Sequence, residues 1–181
     1  FPNSYAFYFC ITWLPTYLEE KHGFAALQLG FFAGLPLLLS VFGDLFGGVA
    51  TDRISARHGF RMGRAGVGAT SYLIASAAIF LAAATAHPLV AAYSIAVATG
   101  ASMFVLGAAW ATCLDIGGNH AGVVSAAMNT SGQVGAILSP MVAVGLKQAF
   151  GWNAVLIVIG VLFLVGTVGW LLVDPRRRVF S

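Results

Sequence analysis

The stretch Trp152-Asn-Ala-Val-Leu-Ile-Val-Ile-Gly-Val-Leu-Phe-Leu-Val-Gly-Thr-Val-Gly-Trp-Leu-Leu-Val173 runs 22 residues without a charged side chain. As an α-helix it reaches about 33 Å at 1.5 Å per residue, enough to cross a hydrocarbon core of roughly 30 Å. A helix that is apolar on every side has no face for water, so the segment reads as a membrane span. The rest of the chain repeats the pattern. Of 181 residues, 59% are hydrophobic and only 8% charged, whereas an ordinary globular domain is roughly a quarter charged. Too few charges remain to cover a soluble surface.

Working outward from that stretch, further spans are expected at about 3–20, 27–50, 65–86, 88–114 and 121–150, before the last at 152–173. Pro88 suits the first position of a helix, and Pro140 allows a bend in the fifth span. These segments use nearly the whole chain and leave no room for a soluble domain. The expected fold is therefore an all-α membrane protein, a bundle of six transmembrane helices with a basic tail over 174–181.

Basic residues fall unevenly between the two sides. Arg53, Arg57, Arg61 and Arg64 lie between the second and third spans, and Arg176, Arg177 and Arg178 lie in the tail. The opposite side has only Lys21 and Lys147. Seven against two places the C-terminus in the cytoplasm, and with six spans the start of the chain as well. No basic stripe interleaves with exposed aromatics, so nucleic acid is not an expected partner. Cys10 and Cys113 sit within apolar segments and read as small buried hydrophobes, with neither disulfide nor metal indicated. The chain opens at Phe1 directly into an apolar run, without initiator methionine or signal peptide, which is the pattern expected after truncation of an N-terminal portion.

Small residues recur one turn apart at Gly30–Gly34, Gly43–Gly47 and around Gly132–Gly135. In lipid no hydrophobic effect drives helices together, so such positions let backbones approach closely. They read either as bundle packing or as sliding contacts in a protein that changes shape.

Seven polar or aromatic positions stand out within the spans. Asn129 and Gln133 are four apart and share one face of the fifth span. A buried amide in lipid needs a partner, which is either a neighbouring helix or a ligand in a water-filled cavity. Tyr8 and Thr12, with Tyr5 one turn earlier, form a polar-aromatic stripe on the first span. An interfacial aromatic belt suits Tyr17 better than it suits mid-span Tyr8 and Thr12. Trp110 in the fourth span reads as a packing aromatic or a cavity wall. Asp44 is the one acid well inside a span, either a structural acid paired with a neighbouring helix or a proton carrier. Asp115 reads as a boundary residue, and His22, His58, His87 and His120 fall in loops, too scattered for a relay.

The most specific signal is Gly48-Val-Ala-Thr-Asp52-Arg53, followed by Arg57-His58-Gly59-Phe60-Arg61. An acid at a helix C-terminus opposes the helix dipole unless a cation compensates. Neighbouring arginines supply such cations, in contacts able to form in one conformation and break in another. Topology alone explains the arginines but not the Gly-x-x-x-Asp-Arg spacing. This segment resembles the loop signature of the major facilitator superfamily, Gly-x-x-x-Asp-Arg-x-Gly-Arg-Arg. Gly48, Asp52 and Arg53 match it, and about three extra residues precede Arg57, Gly59 and Arg61, as in the weaker second copy of the signature.

Two further segments narrow the resemblance. Tyr8-Phe-Cys-Ile-Thr-Trp13-Leu-Pro15-Thr-Tyr17-Leu resembles the seventh helix of the anion:cation symporter family, which includes hexuronate, glucarate, galactonate and phthalate transporters. Gly122 to Gly135, with Met128-Asn129-Thr130 at its centre, and Ser139-Pro140 resemble its eleventh. The resemblance covers the whole chain as helices seven to twelve of twelve. It implies one half of a secondary transporter in a bacterial inner membrane, moving a sugar acid or aromatic carboxylate with protons by alternating access. It further implies that Asn129 and Trp110 line the central cavity. Sugar-acid transporters often carry serine three residues before that tryptophan, where this chain has Gly107. The cation that neutralises the substrate is then expected in the other six-helix half, because no arginine or lysine lies mid-span here.

Other function classes find less in the residues. No Ser/His/Asp grouping, metal-ligand spacing or phosphate loop is present, so neither an enzyme nor an ATP-driven pump is expected, and no cofactor is implied. A sensor built on a transporter-like bundle needs an attached signalling domain.

Overall fold

The computed structural model describes residues 1–176 and 179. Of the tail arginines, Arg177 and Arg178 lie outside the described residues. Every regular element among the described residues is helical: α1 Pro2–Thr12, α2 Leu14–His22, α3 Ala26–His58, α4 Val67–Ala84, α5 Pro88–Gly117, α6 Ala121–Phe150 and α7 Trp152–Leu172. A π-helical turn, Met62–Gly66, leads into α4, and a 3-10 turn, Gly118–His120, joins α5 to α6.

Among the described residues, four stretches are long and apolar enough to cross a membrane: Ala26–His58, Met62–Ala84, Pro88–Phe150 and Trp152–Leu172. The third contains two helices of 30 residues each, α5 and α6. Large apolar side chains such as Leu45, Phe46, Ile137 and Leu172 point outward, the reverse of a soluble fold. The chain is an integral membrane protein.

Where an unbroken first span was expected, the chain makes two short helices that meet at Trp13. Pro15 is the cause. It has no N–H to give the Ile11 carbonyl, and its ring crowds the preceding turn. Gly23 then ends α2 in the left-handed region at φ 67°, where its N–H reaches the carbonyls of Glu19 and Leu18. Tyr17, expected in an interfacial belt, is fully buried instead. Its hydroxyl lies 3.0 Å from His22 Nε2, and its ring packs edge-on against Trp152.

A second difference lies at the motif. α3 continues past the expected end near residue 50 and runs to His58, because nothing between Gly48 and Gly59 breaks a helix. Asp52, Arg53 and Arg57 are therefore helical, and Asp52 sits well before the helix terminus. The dipole at the helix end falls off within the last turn, so it is not what governs that acid.

The tightest packing joins α3 to α5. A Cβ on Gly43 would strike the Gly100 carbonyl oxygen, and one on Gly47 would strike that of Phe104. A Cβ on Gly107 would stand 2.6 Å from the Gly48 Cα. The Gly43–Gly47 pair is thus a backbone-approach surface, as its spacing predicts. Gly30 and Gly34, by contrast, have no neighbour within 4 Å of a built Cβ. Between α4 and α7, the Ser76 hydroxyl donates to the Gly160 carbonyl at 2.9 Å, and Gly160 leaves space for Phe80.

One end of the bundle is tied by Glu20. Its carboxylate accepts from Lys147 Nζ at 2.8 Å and from Trp152 Nε1 at 3.0 Å. The same ammonium lies 4.8 Å from the Trp152 ring centroid, and Lys21 donates to Asn153 Oδ1. This network joins α2 to α6 and α7, and neither Glu20 nor Trp152 was singled out by the sequence. The opposite end gathers the end of α3, the start of α4 and the ends of α5 and α7. There the Val179 N–H reaches the Ile116 carbonyl at 2.9 Å. The arginine segment and the end of α7 therefore share one face.

Candidate substrate cavity and charged end

A cavity of about 600 Å³ opens in the half of the bundle nearer the arginine segment. That lies within the usual range for small-molecule sites. Its walls come from five helices. α1 gives Asn3 and Ser4; α5 gives Met103, Leu106, Trp110 and Cys113; α6 gives Met128, Asn129 and Gly132; Tyr72 and Trp170 come from α4 and α7. Gly132 and Ser4 bring α1 and α6 together, since a Cβ at 132 would stand 2.9 Å from Ser4 Oγ.

Of the five expected substrate contacts, the cavity gathers Trp110 and Asn129. Trp110 is half exposed, and the Asn129 amide makes no hydrogen bond among the described residues. Tyr8, Thr12 and Gln133 lie outside the cavity on the exposed surface of the bundle. The Thr12 hydroxyl turns back on the Tyr8 carbonyl at 2.6 Å. Tyr5 does not share their exposure: it is buried and stacks on Phe1 with ring centroids 6.1 Å apart. Asn3 escaped the sequence reading, and the only available signal was a lone amide at the start of a span. Gly107 stays out of the cavity, because its bare α-carbon meets Gly48.

The charged end centres on a residue that the sequence reading used only for topology. Arg64 is buried beside the end of α3, with its side chain 8% exposed. Its Nε donates to Asp115 Oδ2 at 2.9 Å and one terminal nitrogen donates to Ser55 Oγ at 3.0 Å. Asp52 Oδ1 lies 3.7 Å from the same terminal nitrogen but is 81% exposed, so water screens most of that attraction. The Phe60 ring lies 5.6 Å from the guanidinium carbon. Gly63 makes room for this arrangement, as a Cβ there would collide with Ser55.

Arg53, Arg57 and Arg61 are exposed, and no ion pair involves them among the described residues. The cation that answers Asp52 is therefore Arg64, from the far side of the turn. Asp115, expected as a boundary residue, is its main partner. Ile116, which lines the cavity, directly follows Asp115, so cavity wall and ion pair are consecutive on α5. Asp44 is exposed on α3 and has no hydrogen-bond or ion-pair partner among the described residues.

Residues 1–140 match the Major Facilitator Superfamily. The chain belongs to that superfamily. Among curated proteins, it is 35% identical to a probable sulfoacetate transporter of Cupriavidus necator, over 94% of this chain and 40% of the relative. It is 29% identical to a D-galactonate transporter of Escherichia coli, over 95% of this chain and 40% of the relative. It is 27% identical to a probable galactarate/D-glucarate transporter of Bacillus subtilis, over 95% of this chain and 38% of the relative. The chain thus spans about two fifths of the length of these relatives. All three relatives are named as transporters.

Proposed function

We propose that this chain is the C-terminal, six-span half of a twelve-helix secondary transporter that moves a small organic anion across a bacterial inner membrane. The observation that carries the reading is a membrane-embedded cavity holding an unpartnered amide, Asn129, beside the Trp110 ring in a major facilitator chain. Amides bind carboxylate, sulfonate or hydroxyl groups, and a ring provides a flat apolar wall. The substrates named for the relatives are all organic anions.

In this reading the two halves rock about the cavity, which opens alternately to each side. The Arg64 cluster is the element remade in each cycle, on the cytoplasmic face with the arginine segment. Proton coupling falls to an acid such as Asp44 or to one in the other half, together with the substrate-neutralising cation. Tyr8, Thr12 and Gln133 serve the wall that meets the other half.

The test is uptake of labelled organic acids by the full-length protein in proteoliposomes, with and without an inward proton gradient. Concentrative uptake that collapses with the gradient is expected, and no uptake across a broad acid panel sinks the proposal. Asn129→Ala is expected to raise KM about tenfold, the scale of one hydrogen bond to a charged group. Folded yield should not change, because the residue is exposed in this half. A variant that loses its monodisperse peak on size exclusion instead marks Asn129 as structural.

A further inference from the structure

Resting on the reading that this cavity holds the transported anion, we infer that it selects hydroxyl-poor anions over polyhydroxylated sugar acids. The favoured substrate has an apolar body and its polar atoms gathered at the ends. The distribution of free hydrogen-bonding groups carries the inference. On α5, the Thr112 hydroxyl is turned back on the Ala108 carbonyl at 2.7 Å, and the Cys113 thiol is spent on Met128 Sδ at 3.5 Å. Leu106 and Met103 complete a wall on which the Trp110 indole N–H is the one side-chain donor left without a partner among the described residues.

Free polar capacity is concentrated where α1 meets α6. The Asn3 Nδ2 is the donor that can meet an anion, because it is given only to the weak acceptor Met103 Sδ at 3.5 Å; the Oδ1 atom beside it is shielded from solvent and accepts no hydrogen bond. Asn129 lies one turn before Gly132, whose contact with Ser4 sets α1 and α6 side by side. The two amides therefore belong to touching turns of α1 and α6. One anionic head fits there, with the body lying along Trp110 and the thioethers.

A hydroxyl on each carbon of a sugar acid has no such arrangement to meet. Those turned towards α5 give up water for little beyond the single Trp110 indole N–H, and a buried hydroxyl left unpaired is penalised heavily. Nor does position 107 offer a remedy, because a side chain there runs into Gly48. Sulfoacetate, named for the relative at 35% identity, bears no hydroxyl, whereas the relatives named for galactonate and galactarate/glucarate stand at 29% and 27%.

The experiment compares uptake of labelled benzoate, sulfoacetate, D-galactonate and D-glucarate by the full-length protein in proteoliposomes under a proton gradient. The expected result is a kcat/KM for benzoate or sulfoacetate at least about tenfold above both sugar acids. Which of the two leads distinguishes an aromatic body from a short sulfonate. Sugar acids taken up as well or better overturn the selectivity and leave organic-anion transport standing; uptake of none of the four overturns both. Asn3→Ala should raise KM for the favoured anion about tenfold with little change in kcat. Ala109→Ser, which adds a hydroxyl to the α5 wall, should narrow the discrimination against galactonate. An unaltered KM in Asn3→Ala, or discrimination unchanged by Ala109→Ser, counts against the inference, and the second variant serves if the first does not fold.

Discussion

Gly47→Leu is expected to abolish the folded bundle, while Gly48→Ala, one residue along, leaves it intact. A Cβ on Gly47 lands on the Phe104 carbonyl oxygen, and 2.8 Å from the carbon behind it. Backbone in the middle of α5 has nowhere to retreat, since Gly43 meets Gly100 one turn away in the same manner. Overpacking in a core costs about 1–3 kcal/mol where side chains can yield, and more where the obstacle is main chain. A leucine there is expected to cost at least about 3 kcal/mol. That is a large share of the few kcal/mol that holds most folds together. The Gly48 Cβ direction has nothing within 4 Å, so alanine there gains up to about 1 kcal/mol of helix propensity without a clash. Thermal melting of the two variants in detergent, followed by size exclusion, makes the comparison. If Gly47→Leu melts within a degree or two of the parent, the backbone contact between α3 and α5 is not what holds them.

The fold class was legible because hydropathy and charge are local properties. The uncharged run from Trp152 to Val173 announces a long apolar helix whatever it packs against. Side-chain orientation was far less legible. In water, the apolar stripe of a helix says which way it faces; in lipid, the bundle side and the lipid side are both apolar, so that stripe is lost. Hence Tyr5 and Tyr8, three residues apart, went together on paper but divide between core and surface in the fold. Tyr17 shows the same limit, because only the placement of Trp152 and His22 reveals that its pocket is closed.

The charged end was half legible for a different reason. Spacing pointed to Asp52 and to a nearby arginine, yet four arginines occur within the segment. Choosing Arg64 requires knowing that α3 persists to His58 and that the chain returns through a π-helical turn at Met62–Gly66. Asp115 is 51 residues away along the chain, and no local pattern links it to the motif. In the cavity, Asn129 was visible as an amide in lipid, whereas Asn3 becomes informative only through its place on the cavity wall and the weak partner of its Nδ2.

Arg64→Ala is expected to stop transport more completely than it destabilises the protein. The guanidinium is buried, and it makes a 2.9 Å contact to a carboxylate whose side chain is 27% exposed. Removing it leaves Asp115 with part of its hydration lost and no cation, and leaves the Ser55 hydroxyl without its partner. Hydrogen bonds to charged groups contribute roughly 1.5–3 kcal/mol, and partial exposure of Asp115 lowers this, so a loss of about 1–2 kcal/mol of stability is expected. Transport should fall by at least about tenfold, because the pair ties the α3–α4 turn to the stretch of α5 that ends on the cavity wall at Ile116. Arg64→Lys keeps the charge but not the planar fork that reaches Asp115 and Ser55 together, and is expected to restore stability better than rate. Exchanging the charges, Arg64→Asp with Asp115→Arg, should recover part of the lost rate if the attraction itself is what matters. Uptake rate and detergent melting, measured on all four proteins, separate the possibilities. Parallel loss of stability and rate makes the cluster a brace; rate lost at near-normal stability makes it the element that each transport cycle must break and remake; no loss of either removes it from the mechanism.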